Sequence, residues 1–94
     1  MSTDAKRFLI LTRRTAAFDD AVIAPHYAHL DALREDGRLE LAGPFFDRAI
    51  PDRSGGAYLV RAGNLAEAEA IAFADPVHTS GSSVVTLHEW NASP

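Results

Sequence analysis

The chain contains four short apolar segments typical of β-strands and two helical segments, and the order of these six segments is compatible with few folds. The strand-like segments lie at 7–12, 38–42, 57–61 and 82–90. A first helical pattern begins near Ile23 or Ala24 and ends at Asp36-Gly37, and a second, rich in Ala and Glu, covers 65–74. The order β-α-β-β-α-β predicts an α+β, ferredoxin-like fold, in which two helices cover one face of a four-stranded antiparallel sheet.

The predicted strands carry apolar side chains on both faces. In the first strand, Phe8 and Ile10 alternate with Leu9 and Leu11. An antiparallel sheet with one face in water shows polar residues on that face. The apolar residues on both faces therefore predict that a further apolar surface covers the face opposite the helices. We expect a second copy of the chain to supply it, giving a homodimer in which sheet packs on sheet as a dimeric α/β barrel, with Trp90 at the interface.

Composition excludes several classes of protein. The chain has 94 residues, which predicts a single domain over 1–94, and a net charge of −4 with acidic and basic residues interspersed, which argues against a nucleic-acid partner. It has no cysteine, so disulfides, thiol catalysis and thiolate metal sites are excluded. No apolar run approaches the roughly 20 residues that cross a bilayer. The polar start at 1–6 is unlike a signal peptide, and we expect a cytoplasmic protein without membrane contact.

One histidine and one aspartate are the main candidates for chemistry. His29 lies at the edge of the apolar face of the first predicted helix, and Asp75 stands in an Asp-Pro step after the second. If they meet, the carboxylate orients the imidazole, fixes its tautomer and raises its basicity. From the spacing alone a structural interpretation is simpler. In it, His29 is a partly buried histidine with one backbone hydrogen bond, and Asp75 caps a short turn that begins at Pro76.

Other side chains offer weaker signals. A zinc or other divalent metal would find ligands in His26, His29, Asp75 and His78, although two histidines three residues apart point about 60° apart on a helix. Substrate contacts are predicted from His26, from Phe45 at the start of a loop at 45–54, and from Ser80 in a loop at 75–81. An anionic substrate would find arginines at 13, 14, 48 and 53, but arginines in loops are usually solvated. We predict neither a metal nor a cofactor.

The chain also resembles the YCII-related family, the YciI-like proteins. The resemblance extends from the first strand to Trp90 and rests on a set of short motifs in a fixed order. These are His29-Leu30, Gly37, Ala42-Gly43-Pro44, and Ala74-Asp75-Pro76 followed by Gly81. The family is similar to dimeric α+β barrels of ferredoxin-like topology, which agrees with the fold inferred from the sheet faces.

The resemblance implies an active site built from a histidine and an aspartate, which fall on His29 and Asp75. Some members are associated with lyase-type chemistry, including removal of chloride from chlorinated hydroxyaromatic rings. The resulting hypothesis is a small cofactor-free lyase or isomerase, in which His29 is the general acid or base and Asp75 binds its other ring nitrogen. Its substrate would be a small cyclic or aromatic molecule. The alternative is a non-catalytic dimer that binds a small ligand or another protein.

Overall fold

The fold is an antiparallel sheet covered on one face by helices. A computed structural model describes residues 5–46 and 55–94. In these ranges the sheet has the order β2-β3-β1-β4, and its strands are β1 (Lys6–Arg14), β2 (Leu39–Pro44), β3 (Gly55–Ala62) and β4 (Ser83–Glu89). The helices are α1 (Ile23–Glu35), α2 (Leu65–Phe73) and the short α3 (Pro76–Thr79). The predicted α+β, ferredoxin-like fold is confirmed.

The core lies between the helices and one face of the sheet. Phe8 and Ile10 of β1 and Val60 of β3 are fully buried there, because alternate strand residues point to the same face. The helices close this core with Leu30 and Leu33 of α1 and Ala68, Ile71 and Ala72 of α2. Burial of these apolar side chains is the main favourable term that holds the helices on the sheet.

Local hydrogen bonds explain where several elements begin. The Asn64 side chain accepts the Glu67 backbone N–H at 2.9 Å and so caps the start of α2. The predicted loop at 75–81 contains α3, which begins at Pro76 with Asp75 as its cap. Strand β1 is longer than the predicted 7–12, because β3 and β4 pair with it on both sides up to Arg13.

Two adjacent glycines let the start of β3 fit between its neighbours. A Cβ on Gly56 would lie 2.5 Å from the carbonyl oxygen of Gly43, and Gly55 has a φ of +153° that few other residues adopt. The Gly56 N–H donates to the Thr12 hydroxyl at 3.1 Å. This close approach brings the ends of three strands together beside α1.

Some sequence predictions concern parts of the chain outside this description. Positions 47–54 of the predicted loop at 45–54, including Arg48 and Arg53, lie outside the described residues. Within those residues, no helix combines the length and the apolar character needed to span a membrane.

Candidate active site

A cavity of about 330 Å³ lies between α1 and the ends of the first three strands. Cavities of roughly 150 Å³ already hold benzene, so this one has room for a single substituted ring. Its polar lining side chains include Thr12, Arg14, His26, Tyr27, Arg34 and Tyr58. Apolar walls with a few convergent polar groups are typical of small-molecule sites.

Behind this lining lies a carboxylate that is completely shielded from solvent. Asp75 is 0% exposed. The Nδ1 atom of His26 lies 2.9 Å from both carboxylate oxygens. The Tyr58 hydroxyl donates to Oδ2 at 2.9 Å, and the Val77 backbone N–H donates to Oδ1 at 3.0 Å. These donors compensate the burial of a charge that would otherwise be very unfavourable.

Three elements position this group. Asp75 is in extended conformation as the N-cap of α3, and Pro76 occupies the first helical position, where a missing N–H costs nothing. Tyr58 belongs to the helix-facing side of β3, opposite Ile10 of β1. His26 lies on α1 one turn before the buried Leu30, so its ring points towards the sheet. The carboxylate therefore joins α1, β3 and α3.

The environment lowers the pKa of the Asp75 carboxyl and raises the pKa of the Tyr58 phenol. Burial by itself raises the pKa of Asp75, but the hydrogen bonds from His26 and Val77, the charge of His26 and the Tyr58 hydrogen bond together bring that pKa below its ordinary value. Burial raises the pKa of Tyr58, and the charge and hydrogen bond of Asp75 raise it further. At neutral pH the pair is therefore a carboxylate and a neutral phenol.

The contact with Asp75 determines which nitrogen of His26 is basic. Because the carboxylate can only accept, Nδ1 carries the proton, and the lone pair of the neutral ring is on Nε2. The side chain is 20% exposed and lines the cavity. No hydrogen bond joins Nε2 to any residue in the ranges 5–46 and 55–94. This nitrogen is available to exchange a proton with a molecule in the cavity.

The predicted pairing of His29 with Asp75 is wrong. His29 points about 60° around α1 from His26, and its Nε2–H donates to the backbone carbonyl of Ile71 at 3.1 Å. Ile71 belongs to the last turn of α2, where carbonyl groups lack helical partners. His29 thus matches the structural interpretation, a partly buried histidine with one backbone hydrogen bond, and His26 binds Asp75 instead.

The three side chains predicted to contact substrate do not all lie at the cavity. His26 lines the cavity, whereas Phe45 and Ser80 do not. Phe45 follows the end of β2 and is 40% exposed, and the Ser80 hydroxyl donates to that of Ser82 at 2.8 Å. The four residues considered for a metal do not converge. Within the described part of the chain, no three His, Asp or Glu side chains lie close enough to hold an ion.

Tyr58 is the member of the site that sequence reasoning missed. It lies in the strand predicted at 57–61 and was not singled out from the sequence. A buried tyrosine needs a partner for its hydroxyl, and a histidine in the centre of an apolar helical face needs one for its ring. Together with the single Asp-Pro step, these two unsatisfied groups were the available signal.

Comparison with known proteins finds a matching family and a similar curated protein. Residues 6–91 match the model of the YCII-related domain. The uncharacterized protein YjpA of Bacillus subtilis (strain 168) is 45% identical over 83 residues, which cover 88% of this chain and 92% of that protein.

Two solved structures have a similar fold. One is the 5-chloro-2-hydroxyhydroquinone dehydrochlorinase TftG of Burkholderia phenoliruptrix AC1100 in complex with 2,5-dihydroxybenzoquinone, with a TM-score of 0.74, 18% identity, and coverage of 93% of this chain and 95% of that one. The other is the hydroxynitrile lyase of Passiflora edulis, with a TM-score of 0.50, 15% identity and 99% coverage of both chains. At these identities the likeness concerns the fold.

The two histidines of α1 are expected to be opposite tautomers when neutral. His26 carries its proton on Nδ1 because it donates to Asp75, and His29 carries it on Nε2 because it donates to Ile71. Long-range ¹⁵N–¹H correlation spectra at about pH 9, above the ordinary histidine pKa of roughly 6.5, distinguish the two forms. His26→Gln and His29→Gln assign the signals. The same tautomer at both positions would contradict the assigned hydrogen bonds.

Asp75→Asn is expected to destabilise the protein by about 1–3 kcal/mol at pH 7, because the amide cannot satisfy all three donors. The folded-state pKa of Asp75 is lowered, so its contribution is present above the ordinary value of 3.8 and is lost as pH falls through the folded value. Urea unfolding measures the free energy of unfolding of both proteins. The difference between Asp75→Asn and wild type should become smaller as the pH is lowered from about 7 to about 3. Exposed Asp36→Asn, the control, should change stability by about 0.5 kcal/mol or less. A pH-independent difference would contradict the prediction.

Proposed function

Because this chain belongs to the YCII-related family, we propose that it is a small enzyme in which His26 and Asp75 act as an acid–base pair on a single-ring, hydroxylated molecule. One observation carries the proposal. An imidazole held by a buried carboxylate lines a cavity of the size of one ring, and its Nε2 makes no hydrogen bond to a described residue. His26 takes the role that the sequence assigned to His29.

The proposed step is proton abstraction followed by loss of a leaving group. Nε2 of His26 accepts a proton from a hydroxyl or an acidic C–H, and Asp75 stabilises the imidazolium that forms. The electron pair left on the substrate forms a new double bond as the leaving group departs with its own pair as an anion. Tyr58 donates to Asp75, so the carboxylate stays correctly oriented for His26 throughout. A base of this kind contributes about 10²–10⁴-fold, so the substrate must be intrinsically reactive.

The similar structures support this chemistry as a precedent for the fold. The dehydrochlorinase holds 2,5-dihydroxybenzoquinone, a single oxygenated ring, and the second neighbour is a hydroxynitrile lyase. We therefore propose lyase-type elimination on a cyclic or aromatic compound ahead of isomerisation. Identical folds host unrelated reactions, so the residues of the cavity carry the proposal.

A binding function without catalysis is the alternative. Asp75 has hydrogen-bond donors on both oxygens, as a purely structural carboxylate would. In that case the cavity would hold a small ligand, or the dimer would bind another protein, and no turnover would depend on His26. A cytoplasmic location and the absence of a nucleic-acid partner stay predictions from the sequence.

We also propose a homodimer formed through the sheet face that lies opposite the helices. Leu41, Leu59 and Leu9 form a row across that face. Leu41 is 68% exposed, and Val84 and Trp90 are 58% and 46% exposed. A second copy matches this apolar surface with an identical one, as two-fold dimers do. The sheet-to-sheet arrangement then gives the barrel that the sequence predicts.

His26→Gln is expected to lower kcat by about 10²–10⁴-fold, because glutamine cannot accept the proton. Asp75→Asn should also lower kcat, since it removes the partner that sets the tautomer. His29→Gln is the matched control, because it removes a histidine of the same helix that binds only a backbone carbonyl. The first candidate substrate is 5-chloro-2-hydroxyhydroquinone, and the assay measures the rate at which chloride is released from it.

Hydrogen–deuterium exchange at acidic ring positions gives a second readout for other hydroxylated rings, because it needs only the abstraction step. Equal rates for wild type and His26→Gln, in either assay, would contradict the proposed role of His26. Binding of rings without chloride release or exchange would favour the ligand-binding alternative.

Leu41→Asp is expected to convert the dimer to a monomer, because it would bury a charge in the apolar interface. Light scattering after gel filtration measures the mass directly, over a range of concentrations. Leu65→Asp is the control, since Leu65 is a leucine of similar exposure at the start of α2, away from this face. A wild-type protein that is monomeric at all concentrations would contradict the dimer.

A further inference from the structure

The cavity contains a second functional group besides His26, the guanidinium of Arg14. Arg14 is the last residue of β1 and continues the helix-facing row formed by Phe8, Ile10 and Thr12. Its side chain is half-buried and lines the same cavity as His26 and Tyr58. Arg13 is more exposed and points to the opposite side of the sheet. The strand thus places one of two adjacent arginines at the cavity.

The orientation of Arg14 is held by an aromatic ring. Its Cζ atom lies 3.9 Å from the centre of the Phe18 ring, which is the geometry of a cation–π contact. Stacking covers one face of the planar guanidinium and leaves its N–H donors along the edges. A guanidinium held in this way is suited to an acceptor in its own plane.

Among the described residues, no charge around the cavity pairs with Arg14. Among the described residues that line it, Asp31 alone has a carboxylate, and this carboxylate lies 2.6 Å from Nη1 of Arg34. Asp75 is behind the lining and binds His26. No described carboxylate lies within ion-pairing distance of Arg14. In the described part of the chain, the cavity therefore has a positive group on one side and the imidazole of His26 on another.

We propose that Arg14 is an anion subsite that binds the carboxylate of a ring substrate. The planar carboxylate accepts two parallel hydrogen bonds from the edge of the guanidinium, which fixes both the position and the plane of the ring. The substrate class is then a hydroxylated cyclic or aromatic carboxylic acid. Its orientation, with the reacting proton towards Nε2 of His26, rests on the proposed function, whereas the binding of the carboxylate by Arg14 does not.

The test compares 2,5-dihydroxybenzoate with its neutral analogue 2,5-dihydroxybenzamide, using NMR titration to measure Kd. Wild type should bind the carboxylate at least about tenfold more tightly than the amide, as expected for a charge-assisted pair. Arg14→Gln should remove this preference. Arg13→Gln makes the same change in net charge on the neighbouring residue and should keep it. Arg14→Lys, which keeps the charge and loses the planar fork, should give an intermediate preference.

The outcomes separate this proposal from the proposed function. Equal Kd values for the two probes in wild type, no saturable binding of the carboxylate, or an equal effect of Arg13→Gln and Arg14→Gln would each overturn the subsite. Unchanged unfolding midpoints establish that the variants are folded, and Arg14→Lys serves if Arg14→Gln is not. His26→Gln should retain the carboxylate preference, so loss of catalysis and loss of anion binding are measured independently.

Discussion

The hydrogen bonding of the buried Asp75 carboxylate is the interaction on which the rest of the site depends. A charge with no solvent exposure is tolerated only with hydrogen-bond donors around it, and here the donors come from α1, β3 and α3. The same carboxylate starts α3 as its cap and orients the imidazole of His26. Local structure, packing of the helix on the sheet and the chemical state of the candidate base are therefore coupled through one side chain.

The two histidines of α1 show how a small difference in angle gives two imidazoles of one helix different partners. His26 meets a carboxylate beside a cavity, while His29 meets a carbonyl at the end of α2. A carbonyl at a helix end needs a donor, so the hydrogen bond of His29 stabilises the packing of α1 against α2. The bond of His26 does more, because the carboxylate partner fixes the ring and leaves Nε2 towards the cavity. Position around the helix thus decides which imidazole meets the carboxylate and which meets the carbonyl.

Elements defined by local patterns were predictable. Within the described residues, alternation and helical periodicity located the four strands and the two long helices, because these patterns depend on neighbours within one element. The caps by Asn64 and Asp75 were also predictable, since each joins residues no more than three positions apart. The ends of β1 were not, because they depend on how far β3 and β4 extend the ladder. Phe45 and Ser80 were predicted to contact substrate from their residue types and loop positions, but they do not line the cavity.

The amino-acid sequence alone determined the order of elements, the absence of thiol chemistry, and the presence of a histidine-bearing helix and an Asp-Pro step. Only the tertiary structure decided which histidine meets Asp75, that Tyr58 joins them, and that Arg14 shares their cavity. The physical reason is range. His26 and Asp75 are 49 positions apart, and Tyr58 and Asp75 are 17 apart. Contacts over such separations depend on how the helices are rotated and packed on the sheet, which no local pattern specifies.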